Sequence, residues 1–475
     1  MDNNDNAISN NEALELQPSQ ILESDLTVQV DYIGTMPFEL GSNGAGEPAP
    51  NLWSPVPIHN KLYFIDQNDA IYRANGSNNN PQIQQIFNVS EAPDGLTLEG
   101  RESILNIAPG SDPNSIYVMF TSDTKPTTDI PTYHLPDPLP GVVGLEQEEV
   151  DDIYRIETLP ESVSFLDPPE VEYQVLYEYK LAGSGLSEPR AIAAFETQIG
   201  SAHYGGGMLT LPDGRILFAT GDNLHFGADG RSAPQDPTEH VGKLLIIDPE
   251  DGSFEVAARG VRNIQRLELV QYDSDDLDPE NTLVAFADIG GVTAEEINYV
   301  PLHNLLDTST IENFGWGRNS DGNAREGTFY VEPGVPLILG TDPLVSSASS
   351  AAPSPEPSFI QPQAQYGRND PNGGFAITGV VTSRSSFDEI TGLFGDLSSS
   401  IVYATTDPYT EIASDVFKVN LIDENGNPLD SLQDLAGGRA DPRFFQFPDG
   451  SAGVLLEATG DFYQLSEIDT TGDFI

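Results

Sequence analysis

Short runs of apolar residues, each followed by turn residues, repeat along the chain from Leu26 nearly to its C-terminal end. The runs are rich in β-branched and aromatic residues, and examples occupy residues 61–65, 115–120, 173–179, 215–220, 243–248 and 454–458. Such runs, bounded by turn signals, predict β-strands, whereas amphipathic helical patterns of useful length are scarce. Several units share a strand, a turn, a second strand and another turn. Loosely repeated four-stranded units of this kind predict an all-β fold and indicate a β-propeller.

Three segments interrupt the strand pattern. Residues 1–24 are polar, Asn-rich and acidic, and we expect them to form a disordered leader. Residues 124–170 are rich in proline and acidic residues, and residues 341–372 include a run of Ser, Ala and Pro. Because strand patterns resume on both sides of each, the last two segments are predicted to be surface loops inserted in one domain, residues 25–475.

The charge balance narrows the range of partners. The chain has 20 basic and 75 acidic residues, a formal net charge of −55. Such a surface repels nucleic acid and anionic membranes, so we expect neither as a partner, and it attracts divalent cations. Adaptation to saline surroundings, where salt screens self-repulsion, explains the charge without any specific function.

Cysteine and long apolar segments are both absent from the sequence. Without cysteine there are no disulfides and no thiolate metal sites. The cysteine content is compatible with both an oxidising and a reducing compartment. No run of 18 or more apolar residues occurs, so we expect no membrane-spanning segment. The first residues do not show the basic and then apolar pattern of a signal peptide.

A candidate site lies at the ends of one predicted hairpin. The run from His203 through three glycines leads into a strand, a Pro212-Asp213-Gly214 turn, a second strand and Gly221-Asp222. Proline presets φ in such a turn, and glycine supplies a positive φ. If the strands are antiparallel neighbours, His203 and Asp222 lie side by side as a general base and its orienting carboxylate. Taken singly, each is equally compatible with an ordinary hydrogen-bonded turn residue.

This hairpin resembles the histidine segment of the soluble glucose/sorbosone dehydrogenases, also called PQQ-dependent aldose sugar dehydrogenases. The resemblance is specific over about residues 200–320 and weaker over 26–120 and 373–470. Further similar segments follow in the family's order: residues 233–236, 241–248, 260–265, 288–298 and 313–316. The resemblance implies a six-bladed β-propeller.

The resemblance also implies a chemistry, the oxidation of an aldose or related polyol by hydride transfer to the quinone. His203 would be the general base, and Asp222 would fix its tautomer. Arg262 would stabilise negative charge developing on the quinone oxygens. The implied partners are a small sugar and an electron acceptor.

Cofactor residues are implied in the same way. Asn263 and Gln265 would contact PQQ. Arg384 and Arg443 are the nearest basic residues to the family's carboxylate anchors, although counting back from the Pro448-Asp449-Gly450 turn puts the family's two arginine positions on Ala440 and Pro442. A calcium ion would be held by the carbonyls of Gly290 and Gly291 and the carboxylate of Glu295, which are hard oxygen ligands.

Two other functions remain open from the sequence. One is a noncatalytic propeller that keeps calcium and binds a protein or glycan, which the displaced arginines favour. The other is a calcium-dependent lactonase or phosphoesterase, which needs several carboxylates converging on the metal. The dehydrogenase interpretation implies an extracellular or periplasmic protein.

Overall fold

The described part of the chain consists almost entirely of β-strands. The structure is a computed structural model of the 475-residue chain. It describes residues 21–37, 52–67, 70–75, 81–93, 95–98, 103–135, 171–183, 185–198, 203–223, 233–271, 278–290, 294–318, 324–326, 329–331, 360, 362–367, 370–382, 392–405 and 415–468. Within these ranges, the helical elements are α1 (Leu302–Leu306), α2 (Gln433–Ala436) and three single 3₁₀ turns.

The strands of the described ranges are numbered in chain order. They are β1 (Leu22–Thr35), β2 (Val56–Ile58), β3 (Lys61–Asp66), β4 (Ala70–Asn75), β5 (Gln82–Asn88), β6 (Ile104–Pro109), β7 (Ser115–Ser122), β8 (Thr132–Tyr133), β9 (Val171–Ala182), β10 (Gly185–Gln198), β11 (Gly205–Thr210), β12 (Ile216–Thr220), β13 (Lys243–Ile247), β14 (Phe254–Arg259), β15 (Leu267–Gln271), β16 (Thr282–Asp288), β17 (Ala294–Pro301), β18 (Glu312–Asn313), β19 (Gly317–Arg318), β20 (Ala324–Glu326), β21 (Phe329–Val331), β22 (Ala364–Gly367), β23 (Ile377–Thr382), β24 (Gly392–Asp396), β25 (Val402–Thr405), β26 (Val416–Asp423), β27 (Pro428–Leu429), β28 (Pro442–Gln446), β29 (Ala452–Leu456) and β30 (Asp461–Glu467).

Four of the sheets are separate, mainly antiparallel blades of four or five strands. Their strand orders are β2-β3-β4-β5, β6-β7-β9-β10-β8, β11-β12-β13-β14-β18 and β15-β16-β17-β22. A small sheet, β19-β20-β21, lies apart from them. Most pairings join strands adjacent in sequence, which is why short runs separated by turn signals predict them correctly.

The remaining long strands form one sheet in the order β23-β24-β25-β26-β1-β30-β29-β28, with β27 attached to β26. Strand β1 pairs in parallel with β26 and antiparallel with β30. The two end strands approach each other, since Gln446 Nε2 on β28 donates to the carbonyl of Thr382 on β23 at 2.9 Å. The sheet is therefore nearly a closed barrel.

The all-β prediction is confirmed, but the prediction of a six-bladed propeller is wrong. In the described residues, four separate blades accompany a single nine-stranded sheet. The physical reason is the position of β1, whose backbone hydrogen-bonds to β26 on one side and to β30 on the other. Strands that the local pattern predicts as independent units thus become one continuous sheet.

The hydrophobic cores lie between neighbouring sheets. One example places Phe218 of the third blade against Phe195 of the second, both fully buried, at a ring separation of 6.1 Å. Burial of a large aromatic side chain stabilises the fold by about 1.5–3 kcal/mol. This packing positions β12 of the third blade against β10 of the second, and the candidate site lies at the ends of β11 and β12.

The single domain stays a prediction, but the predicted limits of the leader and loops can be compared with the bounds of the strands. Strand β1 begins at Leu22, so the predicted limit of the leader at residue 24 falls inside it. Strand β22 falls within the predicted loop 341–372, whereas residues 136–170 of the other loop lie outside the described residues. In the part of the chain that is described, no helix is long and apolar enough to cross a membrane.

Candidate active site around His203

Strands β11 and β12 form an antiparallel hairpin in which Met208, Leu209 and Thr210 face Phe218, Leu217 and Ile216. The turn is closed by the Leu211 N–H on the Arg215 carbonyl at 2.8 Å and by the Gly214 N–H on the Leu211 carbonyl at 2.9 Å. His203 lies two residues before the first strand and Asp222 two residues after the second. The pairing of the strands consequently brings these two side chains together.

His203, Asp222 and Arg262 form a buried hydrogen-bonded chain. His203 Nδ1 lies 2.7 Å from Asp222 Oδ1, and His203 Nε2 lies 3.0 Å from Arg262 Nη2. Solvent reaches only 4%, 0% and 2% of the three residues, respectively. A guanidinium N–H can only donate, so Nε2 is the acceptor and the proton of a neutral imidazole resides on Nδ1, where it faces the carboxylate.

Two glycines make this close approach of the chain possible. Gly205 has φ +72°, a left-handed conformation, and an added Cβ there would overlap the Ala219 carbonyl. At Gly221 an added Cβ would overlap the carbonyl oxygen of His203 itself. The Gly221 N–H donates to the Tyr204 carbonyl at 3.2 Å, so the segments carrying His203 and Asp222 touch backbone to backbone.

Hydrogen bonds hold both the backbone and the guanidinium of Arg262 in place. Its N–H donates to Asp288 Oδ2 at 2.9 Å, and its carbonyl accepts from the Asp222 N–H at 2.8 Å. Its Nη1 donates to the Ile289 carbonyl at 2.8 Å. Asp288 is buried at the end of β16, and burial raises the pKa of its carboxyl to about 7. Asp288 thus orients the turn that carries Arg262.

Trp316 contacts both charged neighbours of His203. Its Nε1 donates to Asp222 Oδ2 at 2.8 Å, and its ring lies beneath the guanidinium, 5.2 Å from Arg262 Cζ. The ring centroid is therefore within cation–π distance. The backbone N–H of Trp316 donates to the Gly260 carbonyl at 2.8 Å.

A pair of buried amides supports Trp316 from behind. Gln235 Nε2 donates to Asn313 Oδ1 at 3.0 Å, and Asn313 Nδ2 donates back to Gln235 Oε1 at 2.9 Å. Gln235 Nε2 also donates to the Trp316 carbonyl at 2.7 Å. The turn bearing Gln235 is held by Lys243, whose buried Nζ donates to the carbonyls of Ala233, Pro234 and Val241 at 2.6–3.1 Å.

Three of the four predicted cofactor residues lie in the described part of the chain, and each has a polar atom engaged with a protein group. Asn263 Oδ1 accepts from the Gly205 N–H at 3.1 Å. Gln265 Oε1 accepts from Arg443 Nη1 at 3.2 Å, and Arg443 Nη2 forms an ion pair with Glu457 at 2.8 Å. The Arg443 guanidinium also stacks on the Trp53 ring at 4.8 Å. Arg384 lies outside the described residues.

Two of the three predicted calcium residues, Gly290 and Glu295, lie within the described part of the chain. Glu295 is fully buried, and its carboxylate accepts N–H groups from Gly290 at 3.0 Å and from Ala376 and Ile377 at 3.2 Å. These contacts give Glu295 a role in joining β17 to β23, and its role as a ligand stays a prediction. Gly291 lies outside the described residues. Among the residues that are described, no three His, Asp or Glu side chains group so that they could hold a metal ion.

Comparison with known proteins gives the fold. No protein-family model and no curated protein matches the sequence. The chain is similar to the PQQ-bound form of aldose sugar dehydrogenase from Streptomyces coelicolor, at 17% identity and a TM-score of 0.50, covering 93% of this chain and 98% of that one. It is similar to an oxidoreductase (glucose dehydrogenase) from Thermus thermophilus, at 14% identity and a TM-score of 0.50, covering 93% and 100%. At these identities the similarity concerns the fold alone.

Sequence reasoning missed two residues of the site, Trp316 and Asp288. Both lie within segments that resemble the family, yet no role follows for either from its local sequence. A signal existed for Trp316, since it is one of only two tryptophans and closes an Asn-Phe-Gly-Trp turn. Buried indoles usually find an acceptor for their N–H. The identity of that acceptor, 94 positions away in sequence, follows only from the fold.

Next to the hairpin, a second buried histidine makes stability depend on pH. His240 Nε2 contacts the Glu196 carbonyl at 2.7 Å, and burial lowers the pKa of His240 to about 4. The unfolded chain binds a proton here below pH 6.5 and the folded chain does not, so stability falls as pH drops from 6.5 towards 4. We expect the free energy of unfolding of the wild type, relative to His240→Gln, to decrease by about 2 kcal/mol between about pH 7.5 and 5.

Urea unfolding at several pH values measures this difference, and the glutamine amide can still donate to the Glu196 carbonyl. All other titratable groups are the same in the two proteins, so their contribution to the pH dependence of unfolding cancels in the comparison. A constant difference between the two proteins across this range would show that His240 is not held neutral.

Proposed function

We propose that the protein oxidises an aldose or a related polyol with PQQ as the hydride acceptor and His203 as the general base. The observation that carries the proposal is the buried Asp222–His203–Arg262 chain, with the imidazole proton directed to the carboxylate at 2.7 Å and Nε2 directed to the guanidinium at 3.0 Å. A base fixed in this tautomer and placed beside a cation suits the removal of a hydroxyl proton as negative charge develops nearby. The similarity in fold to a PQQ-bound sugar dehydrogenase supports the choice of cofactor.

The residues would divide the work as follows. His203 Nε2 takes the proton of the substrate hydroxyl, and Asp222 stabilises the resulting imidazolium through Nδ1–H. Because Arg262 Nη2 occupies the Nε2 lone pair in this structure, the guanidinium must shift before Nε2 can accept that proton. When bound, PQQ supplies a quinone that accepts hydride.

The described residues fit the reacting end of the cofactor better than its carboxylates. Arg262 is a buried cation beside the base and would contact an anionic oxygen. Arg443 would bind a carboxylate, but Glu457 already pairs with it at 2.8 Å. A tricarboxylate therefore has to compete with Glu457 for this cation. Calcium enters the proposal from the family resemblance alone, and none of the steps above is assigned to it.

The Arg443–Glu457 pair favours a second candidate function, a propeller that binds a protein or glycan without a cofactor. A guanidinium already neutralised by a carboxylate needs no ligand to balance its charge. In this case PQQ would not bind, and a binding partner without turnover would be expected.

PQQ binding to the purified protein separates the two functions. Absorbance titration with and without calcium, followed by dye reduction with a panel of aldoses, should show saturable binding below tens of micromolar and sugar-dependent turnover. Arg443→Gln should weaken binding about 10–100-fold, which is the value of one hydrogen-bonded ion pair.

A charge-matched pair of variants sharpens the test. Glu457→Gln frees Arg443 and should tighten PQQ binding, whereas Glu178→Gln should not change it. Glu178 is the matched control because it pairs with Arg190 at 2.7 Å, on the second blade. No binding at tens of micromolar to either the wild type or Glu457→Gln would contradict the dehydrogenase proposal and favour the noncatalytic one.

A further inference from the structure

Asp222 is held at both of its oxygens by two different side chains. Oδ1 lies 2.7 Å from His203 Nδ1, and Oδ2 accepts from Trp316 Nε1 at 2.8 Å. A carboxylate held at one oxygen only keeps freedom about its terminal torsion, which is broad and roughly two-fold. The indole N–H removes that freedom and determines which oxygen faces the imidazole.

Trp316 acts on the opposite side of the imidazole as well. Its ring supports the Arg262 guanidinium at 5.2 Å, and Arg262 Nη2 faces His203 Nε2 at 3.0 Å. A cation placed over an aromatic face is attracted by the ring quadrupole, and the attraction grows when water is excluded. One side chain therefore places both the hydrogen-bond acceptor at Nδ1 and the donor at Nε2.

The indole itself has little freedom to move. It is 3% exposed, its backbone N–H donates to Gly260, and its carbonyl accepts from Gln235. Gln235 is in turn locked to Asn313 by the reciprocal amide pair. Trp316 is thus a rigid support built on three separate segments of the chain.

We propose that Trp316 is a positioning residue that sets the tautomer and orientation of His203 through Asp222 and Arg262. Its indole N–H holds Asp222 so that Oδ1 is aligned with Nδ1–H, and its ring holds Arg262 so that the guanidinium donates to Nε2; the two contacts together select the Nδ1–H tautomer. Its effect on turnover rests on the proposed function, but its effect on the imidazole is a property of the protein alone.

The test uses Trp316→Phe, which keeps a buried aromatic ring and removes the N–H. Nitrogen NMR of the full chain with ¹⁵N-labelled histidine, without added cofactor, reports which ring nitrogen carries the proton. The His203 signals are assigned by their loss in His203→Asn. We expect the wild type to be in the Nδ1–H form, and Trp316→Phe to show an averaged or mixed tautomer.

The matched control is Trp53→Phe. Trp53 is equally buried, at 4% exposure, and its Nε1 has no hydrogen-bond partner among the described residues. We expect the His203 signals to be unchanged in this variant. If Trp316→Phe does not fold, the Trp53→Phe chain can be produced with benzothienylalanine in place of tryptophan, which then replaces the Trp316 N–H by sulfur in an isosteric ring.

The outcomes are distinct. An unchanged Nδ1–H tautomer after removal of the Trp316 N–H would overturn the inference, whether or not PQQ binds. A changed tautomer in a protein that does not bind PQQ would support the inference and contradict the proposed function. In an active protein, Trp316→Phe should also lower kcat by about 10-fold or more with little change in KM, because general-base catalysis contributes about 10²–10⁴-fold and depends on this alignment.

Discussion

Replacement of His203 by asparagine should lower PQQ-dependent turnover by about 10²–10⁴-fold, the usual contribution of a general base. The asparagine amide can still donate a hydrogen bond towards Asp222, which accepts from the imidazole at 2.7 Å in the wild type, but it offers no basic nitrogen at the position of Nε2. PQQ affinity should change little, because the proposed anchors are cations. Steady-state dye reduction and absorbance titration measure the two effects separately.

His240→Gln is the control for this experiment. Like His203, His240 is 4% exposed, but it contacts the Glu196 carbonyl and not the Asp222–Arg262 chain. We expect its turnover at neutral pH to stay near that of the wild type. Turnover of His203→Asn within about 3-fold of the wild type would be incompatible with a general base, whose loss costs at least about 10²-fold.

Among glycine-to-alanine substitutions in the site, we expect Gly221→Ala to cause the largest loss of stability. The added Cβ would overlap the carbonyl oxygen of His203, and the backbone of Gly205 lies on the same side. Both neighbours are main-chain atoms in a buried hairpin, so neither can give way without breaking strand pairing. We expect a loss of about 3 kcal/mol or more in the free energy of unfolding.

Gly438→Ala is the matched control, since nothing lies within 4 Å of a Cβ at that position. Its free energy of unfolding should stay within about 0.5 kcal/mol of the wild type. Urea unfolding of both variants measures the difference, and the histidine nitrogen spectrum of Gly221→Ala should show that His203 has lost its wild-type environment. Equal stabilities for the two variants would mean that the hairpin relaxes around the extra methyl group.

The hairpin that carries the site could be predicted from the sequence because its determinants are local. The Pro212-Asp213-Gly214 turn and two flanking β-runs suffice to pair β11 with β12. That pairing alone brings His203 next to Asp222. Arg262 could be suggested only by resemblance, because its contact with His203 spans 59 positions of sequence.

The remaining features depend on contacts that no local pattern encodes. The blade count is wrong because β1 pairs with strands near the other end of the chain. The contact of Arg443 with Gln265, 178 positions away, is equally invisible in the sequence. Both depend on tertiary contacts between segments that are distant in sequence, which override local propensity.

The placement of β1 has a consequence for how the chain is made. Ser24 hydrogen-bonds to Lys418, 394 positions later, so the first strand leaves the ribosome long before its partners exist. Blades built from neighbouring strands can fold during synthesis, whereas β1 can pair with β26 and β30 only after both of those strands have been translated. Closure of the largest sheet therefore requires β26 and β30 to be synthesised first, and a nascent chain that stops short of β26 leaves β1 open to association with other chains.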